Sequence, residues 1–353
     1  MVVRKDIVAV SIPFSAGVVT AALLPPGGDV PYWLAAGSCL AATALSCLYA
    51  GRGDRSGTVL LLYFVLGLFC HASAAARGPG AGGWAGAERA LAALLRAIDG
   101  AGFAHDSTAA LLRALLCGQR DGLDRATVEA FRAAGASHIL ALSGLHLGIL
   151  YGILQGALSV LGHSRPAQLL RSVAAVGAAA FYLAMTGASP SLVRAFLFIL
   201  FNELARLMPG RRRQPLNIFC AALTLQLAVS PGVVGSLGFQ LSYLAMLGIV
   251  LVFPRLDAWY PRSTCWDPLR RLWSAAALTL SCQAFTAPLV WIRFQTFPRY
   301  FLITNLGAMP LTEAFILCAL PALLPGCPAG IKKLADTLGQ LLVSFLGTVA
   351  SLT

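Results

Sequence analysis

The sequence predicts an all-α integral membrane protein, a polytopic bundle of about nine to eleven transmembrane helices with short amphipathic helices on its outer face. Charged residues make up 11% of the 353 residues and hydrophobic residues 58%, which leaves too little polar surface to cover a water-soluble globule. Most of the chain also falls into apolar stretches of roughly 14 to 24 residues, near the ~20 that a helix needs to cross a bilayer. Because backbone groups in lipid must be bonded within their own segment, these stretches are predicted to be helices.

Eleven stretches meet this description, and short segments with Gly, Pro or Arg separate them. The fifth and the seventh are short enough to be re-entrant or broken helices, which gives the lower limit of nine. The first follows a basic head but lacks a small-residue cleavage site, so it is predicted to stay as a span. The stretches are 7–24, 32–50, 58–76, 139–161, 173–186, 190–207, 215–229, 237–253, 273–291, 301–324 and 334–352.

Lys and Arg cluster in alternate loops, which predicts the orientation of the chain. Such cations are retained on the cytoplasmic side, and the short loops in between hold Arg293 and Arg299 as their basic residues. We therefore expect a cytoplasmic N-terminus and read the net charge of +12 mainly as an orientation signal, with polyanion binding as the alternative. The predicted cytoplasmic cations are Arg4, Lys5, Arg52, Arg55, Arg165, Arg171, Arg206, Arg211, Arg212, Arg213, Arg255, Arg262, Arg270, Arg271, Lys332 and Lys333.

Residues 77–137 form one long segment outside the apolar stretches, and the alternation of loops places them on the outer face. After a glycine-rich hinge, apolar residues recur at helical spacing in three amphipathic helices that end near Gly100, Gly118 and Gly135. These helices have too little apolar area for a core of their own, so we predict an outer collar against the spans. The predicted domains are 1–76, N-terminal transmembrane helices; 77–137, this extracytoplasmic segment; and 138–353, the remaining transmembrane helices.

The stretch SHILALSGLHLGILYG, 137–152, is apolar enough for lipid yet contains polar residues and glycines. Ser143 and His146 are three residues apart and would share a helix face beside Gly144 and Gly148. Polar groups at membrane depth face protein or water, so both helix packing and the lining of a translocation path explain them. A third interpretation makes Ser143 a nucleophile and His146 its base. It is disfavoured because an intramembrane hydrolase should take its histidine from a different helix.

The boundary between two later spans, TGASP at 186–190, places a proline at the start of a helix. The open backbone amides at such a start attract anions. Arg194 follows one turn later. Its cation either snorkels to the membrane edge or lies in a pathway, where it would be available to phosphates.

Two further spans carry polar residues. One begins with Gln240 and Ser242, and the run 301–324 contains Asn305, Pro310 and Glu313. A proline among polar residues in an apolar run suggests a helix that is kinked or broken at depth.

Several classes of chemistry lack their sequence motifs. There is no GxxxxGK[ST] phosphate-binding loop, no HExxH motif and no pair of carboxylates at catalytic spacing. The nine cysteines form no CxxC pair and mostly lie within the spans, where cysteine acts as a small apolar residue. We therefore predict no cofactor, no metal site, no disulfide framework and no enzyme activity.

Four of these stretches, taken in order, resemble the membrane domain of ComEC-type competence proteins, the inner-membrane channels for DNA uptake. They are LLCGQRDGLDRATVEAFRAAGASHILALSGLHLGIL (115–150), TGASPSLVRA (186–195), GFQLSYLAMLGI (238–249) and FPRYFLITNLGAMPL (297–311). The ordered set is far more specific than any one member.

The resemblance implies a channel that passes single-stranded DNA into the cytoplasm during natural transformation. It implies a location in the cytoplasmic (inner) membrane, a cytoplasmic ATP-driven motor and an outer-face DNA-delivery protein as partners. A transporter of another anionic solute or polymer is the alternative. The positions that match the family blocks, and that we predict to line the DNA pathway, are Arg120, His138, Ser143, Gly144, His146, Thr186, Ser189, Arg194, Gln240, Ser242 and Asn305.

Longer members of this family also carry an OB domain and a metallo-β-lactamase-like domain. In this sequence about 60 residues with a helical pattern occupy the place of the first, and the His- and Asp-rich motif of the second is absent. We therefore expect no nuclease activity from this chain.

Overall fold

A computed structural model describes residues 3–23, 61, 63–71, 84–162, 164–207, 214–261, 267–295 and 297–352. Within these ranges every regular element is a helix and none is a β-strand, which confirms the predicted all-α fold class. The predicted span at 32–50 and parts of the span at 58–76 lie outside the described residues, as does the glycine-rich hinge up to residue 83.

The described helices are numbered here in chain order, and two 3₁₀ turns, Leu158–Leu161 and Pro231–Gly235, separate some of them. They are α1 (Val3–Leu23), α2 (63–71), α3 (Ala85–Asp99), α4 (Asp106–Cys117), α5 (Arg125–Ala133), α6 (Ser137–Leu140), α7 (Gly144–Ala157), α8 (Arg165–Met185), α9 (Pro190–Leu207), α10 (Pro215–Val229), α11 (Leu237–Leu251), α12 (Phe253–Asp257), α13 (Pro268–Phe294), α14 (Phe301–Ala322) and α15 (Ala329–Ala350).

Four segments of the described chain are long and apolar enough to cross a membrane. They are α7 with its following 3₁₀ turn (Gly144–Leu161), α8, α13 and α14. The apolar part of α1 (Ile7–Leu23), α10 and α11 are shorter. A bundle of such helices is typical of a membrane protein, while the total of nine to eleven spans stays a prediction.

The prediction of a short fifth span at 173–186 is wrong. Helix α8 begins at Arg165 and has 21 residues, because its early arginine has local partners. Arg171 donates to the carbonyl of Gly162 at 3.4 Å and to Oε1 of Gln155 at 3.4 Å, at the turn between α7 and α8. A guanidinium held in this way can lie near the membrane edge within a full-length span.

Of the two alternatives predicted near Pro310, the break is wrong, and the kink stays a prediction. Helix α14 continues from Phe301 to Ala322 with Pro310 inside it. Proline removes one backbone donor from a helix interior, a loss that the remaining turns and neighbouring helices of a membrane bundle can tolerate.

The chain divides into two compact units. The first consists of Met1–Gly82 and Leu197–Tyr243, and the second consists of Gly83–Phe196 and Leu244–Thr353. The division falls within α9 and within α11. The domain boundaries predicted from the sequence at 76 and 137 stay predictions, as does the assignment of 77–137 to the outer face.

In the first unit, α1 packs closely against α2 and α10. A Cβ on Gly17 would overlap the carbonyl oxygen of Phe64, so glycine is what allows α1 and α2 to approach. Ser11 links α1 to α10, because its hydroxyl donates to the carbonyl of Cys220 at 3.2 Å and accepts from Thr224 at 2.7 Å.

In the second unit, the apolar core joins α14 and α15 to the helices that the sequence predicts as an outer collar. Eight of the twelve residues of α4 are buried, and they contact the same cluster as Phe315 of α14 and Leu346 of α15. Helix α4 is thus part of the core of this unit. The predicted helix ends at Gly100 and Gly118 are confirmed.

Candidate functional site

The start of α7 is organised by Ser143 and His146. Ser143 is the N-cap residue, and it forms a capping box with His146. In this motif the side chain of each residue accepts a hydrogen bond from the backbone N–H of the other. The ring nitrogen Nδ1 of His146 accepts from the backbone N–H of Ser143 at 3.2 Å and lies 3.4 Å from its hydroxyl oxygen. The sequence interpretation that both residues share a helix face is therefore wrong, because Ser143 lies just outside the helix.

This geometry assigns the neutral tautomer of His146. Because Nδ1 accepts a hydrogen bond, the proton lies on Nε2. His146 is fully buried, and Nε2 has no hydrogen-bond partner among the described residues. The site thus retains one buried donor, and a buried donor without a partner is costly unless a water or a ligand satisfies it.

Arg194 lies beside this helix start. The position that a Cβ would take on Gly144 is 3.4 Å from Nη2 of Arg194 and 3.2 Å from Cβ of Ala195. Glycine at 144 is therefore what lets the second turn of α9 approach α7 so closely. The contact brings a guanidinium to the N-terminal end of a 14-residue helix, which carries a partial positive charge. The two features together create a positive potential that attracts anions.

The turn that precedes Arg194 is strained and capped. Gly187 and Ala188 have φ of 79° and 51°, left-handed values that are unusual for alanine. Thr186 donates its hydroxyl to the carbonyl of Tyr182 at 2.8 Å, and the hydroxyl of Ser189 accepts from the N–H of Leu192 at 3.4 Å. These hydroxyls thus hold the turn that positions Arg194.

A groove of about 440 Å³ runs along α7 from the same end. Gly144, Gly148 and Gly152 follow at intervals of four residues and form its floor, and Glu313 and Leu317 of α14 line it as well. A Cβ on Gly148 or on Gly152 would meet no atom within 4 Å. These two glycines therefore leave open space along the helix.

Glu313 was not among the residues predicted for the site. Its side chain is exposed on α14 and lines the groove. An ionisable residue inside an apolar span is a general indication of function in a membrane protein. This signal was present in the sequence, but the contact between α14 and α7 that brings Glu313 to the groove was not.

The other predicted residues take separate positions. Arg120 and His138 are exposed, in the turn after α4 and in α6. Asn305 of α14 has a buried Oδ1 without a hydrogen-bond partner among the described residues. Gln240 lies in the first turn of α11, in the other unit, and donates to the carbonyl of Val234 at 2.8 Å, while Ser242 is half-buried in the next turn. The structure thus brings Ser143, Gly144, His146 and Arg194 together, with Thr186 and Ser189 in the adjoining turn.

Comparison with known proteins places this arrangement in a family. The chain is 26% identical over 251 residues to ComE operon protein 3 of Bacillus subtilis (strain 168), an alignment that covers 70% of this chain and 29% of that protein. The chain thus spans less than a third of the length of this relative. No solved structure matches this chain. The profile of the family described as Competence protein matches residues 115–353, which include the α7 site, the groove and every residue predicted to line the pathway. This chain of membrane-type helices therefore belongs to the competence protein family.

Proposed function

We propose that this protein forms the membrane channel of a DNA uptake system and passes single-stranded DNA across the cytoplasmic membrane during natural transformation. The observation that carries the proposal is the guanidinium of Arg194 beside the N-terminus of α7, in a chain of the competence family. DNA carries one negative charge per nucleotide, and a charged strand cannot cross hydrocarbon without cations, hydrogen-bond donors and water along its path.

The α7 site supplies these elements in one place. Arg194 provides a cation, the helix N-terminus a positive potential, and Nε2 of His146 a buried donor. None of them distinguishes one base from another, as a channel for DNA of any sequence requires. The groove that follows along α7 provides a surface without side chains on its glycine face, where a strand can pass close to the backbone.

Transport of DNA in one direction requires an energy source and a protein that delivers DNA to the channel. The sequence contains no phosphate-binding loop for a nucleotide, so we propose that a separate cytoplasmic ATP-driven motor draws the strand inward and that an outer-face protein delivers it. The name of the Bacillus relative, ComE operon protein 3, is consistent with a function alongside other proteins of one operon.

The test is uptake of labelled DNA in transformable cells whose own copy of this gene is deleted. Cells that carry the double variant His146→Ala/Arg194→Ala should import at least about tenfold less DNA than cells with the unchanged chain, which corresponds to a loss of roughly 1.4 kcal/mol of interaction. Arg171→Ala, which removes a guanidinium at the far end of α8, is the matched control. Membrane levels of each variant are measured by immunoblot. Normal uptake by the double variant would show that these side chains do not line the route.

A transporter of another anionic solute or polymer would use the same positive site, because a guanidinium binds carboxylates and phosphates of many kinds. Purified protein in liposomes separates the two functions. Flux of small organic anions with no passage of oligonucleotides would favour this alternative, whereas oligonucleotide passage would support the DNA channel.

A further inference from the structure

Helix α3 presents a charged face that the site described above does not use. Arg89, Ala93 and Arg96 follow one another at intervals of four and three residues, so they share a face, and all three are exposed. Each arginine donates through Nε to a carbonyl of its own helix, of Ala85 and of Ala92, and neither forms an ion pair with any described residue. Arg89, Ala93 and Arg96 are called the arginine stripe of α3. Whether this stripe faces water, lipid or protein depends on where α3 lies relative to the membrane-spanning helices.

The turn between α3 and α4 lies at one end of the α14–α15 hairpin. Gly100 and Ala101 line a pocket together with Ala322, Gly326 and Lys332, which surround the turn between α14 and α15. The carboxylate of Asp336 in α15 accepts from the backbone N–H groups of Ala104 at 2.8 Å and of His105 at 3.4 Å. These bonds hold the turn of the α3–α4 hairpin against α15.

The open ends of the same hairpin lie at the opposite end of α14. Gly118, which ends α4, would place a Cβ 2.7 Å from Leu142, just before α7. Gly135, just before α6, would place a Cβ 2.5 Å from Pro298, just before α14.

At this end the hairpin also contacts the last turns of α8. Tyr182 donates to the carbonyl of Leu116 at 2.7 Å, and Trp84, before α3, stacks edge-to-face on Phe181 with 5.9 Å between ring centroids.

These contacts determine the depth of the hairpin. Helix α14 has 22 residues and is among those long enough to cross a membrane, with a length of about 33 Å at 1.5 Å per residue. Helix α3 starts, and helix α4 ends, on the side of its beginning, and both contribute residues to the same apolar core as α14 and α15. They are about 22 and 18 Å long, and the turn that joins them lies next to the end of α14. The hairpin therefore enters the spanning bundle and returns to the side from which it came.

From this geometry we infer that α3 and α4 form a re-entrant hairpin, and that the arginine stripe of α3 lines a water-filled space at the depth of the bundle, where it binds the phosphates of the transported strand. Two exposed guanidinium groups at that depth cannot face hydrocarbon, so their exposed face requires water. The hairpin precedes the matched family region except for the last residues of α4. The phosphate-binding part rests on the proposed function, whereas the re-entrant position does not.

Accessibility of single cysteines to a charged, membrane-impermeant thiol reagent tests the position without any DNA. Ala85→Cys at the start of α3 and Ala104→Cys in the turn are both exposed sites, and each is labelled from one side of the membrane at a time. Ala93→Cys reports on the stripe. Val173→Cys on α8, 61% exposed on an apolar helix and eight residues from its start, is the control for a surface that faces lipid. Labelling is measured above that of the parent chain, which retains its native cysteines.

We expect Ala85→Cys and Ala104→Cys to react from opposite sides, and Ala93→Cys to react at least about tenfold faster than Val173→Cys, as thiols in water and in lipid should. Reaction of Ala85→Cys and Ala104→Cys from the same side would show that the hairpin lies outside the membrane. An Ala93→Cys rate equal to that of Val173→Cys would show that the stripe is not in water. Either result would overturn the re-entrant position.

The role of the stripe in DNA uptake is tested separately. The double variant Arg89→Gln/Arg96→Gln should reduce uptake of labelled DNA several-fold, whereas Arg125→Gln, an exposed arginine on α5, should not. Unchanged uptake in the double variant would overturn the phosphate-binding role. The Arg194 experiment would still test the proposed function independently.

Discussion

At the scale of single residues, the capping box of α7 explains two polar residues that the sequence left open between packing and pathway lining. The side chain of Ser143 caps the first turn of the helix, and Nδ1 of His146 accepts from the backbone N–H of Ser143. The Nε2–H group of His146 is left to donate to another partner. One pair thus stabilises the helix start and contributes a donor to the site. The neighbouring Gly144 contributes by having no side chain, which leaves room for Arg194.

The first prediction concerns the cap itself. Ser143→Ala removes the hydroxyl and should lower the stability of the protein by about 0.5 to 2 kcal/mol, whereas Ser143→Asn, which keeps a side-chain acceptor, should lose much less. Thermal unfolding in detergent, followed by tryptophan fluorescence, measures the difference. If the alanine and asparagine variants melted at the same temperature, the side-chain cap would not contribute to stability.

The second prediction concerns Asp336, which accepts from two backbone N–H groups of the α3–α4 turn. Asp336→Ala leaves both donors without this acceptor and should cost about 1 to 3 kcal/mol. Asp336→Asn retains one acceptor oxygen and should cost less. The exposed neighbour Thr337, whose hydroxyl donates to its own helix at Lys333, supplies the control Thr337→Ala. Equal melting temperatures for Asp336→Ala and the control would contradict a role of the carboxylate in holding the turn.

At the scale of helices, the closest contacts occur where glycine removes a side chain. A Cβ on Gly248 of α11 would overlap the carbonyl oxygen of Ser281 in α13. At Gly238 of the same helix a Cβ would meet no atom within 4 Å. The same substitution at these two positions therefore separates packing from helix propensity.

The third prediction compares Gly248→Ala with Gly238→Ala. The first should destabilise the protein by about 1 to 3 kcal/mol, because α11 and α13 must move apart to fit the methyl group. The second should be neutral or stabilising by up to about 1 kcal/mol, since alanine favours a helix more than glycine does. Detergent-solubilised thermal melts measure both. A melting temperature that falls equally in the two variants would show that close approach at Gly248 is not important.

The fourth prediction uses the groove. Gly148→Leu should fill part of the space along α7 and reduce DNA uptake by about tenfold or more, while the melting temperature stays within a few degrees, because no atom lies within 4 Å of the added Cβ. Gly177→Leu on α8 also enters open space but does not line the groove, so it serves as the control. Full uptake by Gly148→Leu would show that the strand does not pass along this face.

The sequence predicts the helices better than it predicts their contacts. The length of the apolar stretches predicted the all-α fold. The Gly and Pro residues at their boundaries predicted where α4 ends and where α9 begins. These signals are visible in the sequence because each acts within one segment. The start of α8 was missed because the partners of Arg171 lie in the preceding helix, at Gln155, and in the turn that follows it, at Gly162. The burial of α4 was missed because an amphipathic pattern does not say whether its apolar face meets lipid or protein.

The candidate site was predicted in part for the same reason. Ser143, Gly144, His146 and Arg194 were selected from motifs, and they meet in space. Glu313 was not selected, since its relation to the site depends on the packing of α14 against α7.

At the scale of the whole molecule, the positive charges are predicted to have two functions, orientation of the chain and lining of the pathway, and the sequence alone does not separate them. In the unit formed by 83–196 and 244–353, the start of α8 with Arg165 and the first turn of α15 with Lys332 lie at the end away from the start of α7. Arg299 lies at the opposite end, next to Pro298 and the start of α14. Several of the clustered cations are also paired, as Arg270 is with Asp257 at 2.8 and 2.5 Å. Arg120 and Arg194, both predicted to line the pathway, lie outside these loops.

The last prediction concerns orientation, which decides the direction in which a strand would travel. Ser159, in the 3₁₀ turn after α7, and Ser230, after α10, are both exposed, and each tolerates a nearly isosteric change to cysteine. If the clustered cations are cytoplasmic, an impermeant maleimide should label Ser230→Cys in intact spheroplasts and Ser159→Cys after the membrane is permeabilised. The reverse pattern would place the N-terminus outside and turn the α7 site toward the cytoplasm, so that Arg194 would meet a strand at the exit of the path. Labelling of both cysteines from one side would contradict the alternation of loops itself, because the helices from α8 to α10 would then cross the membrane an even number of times.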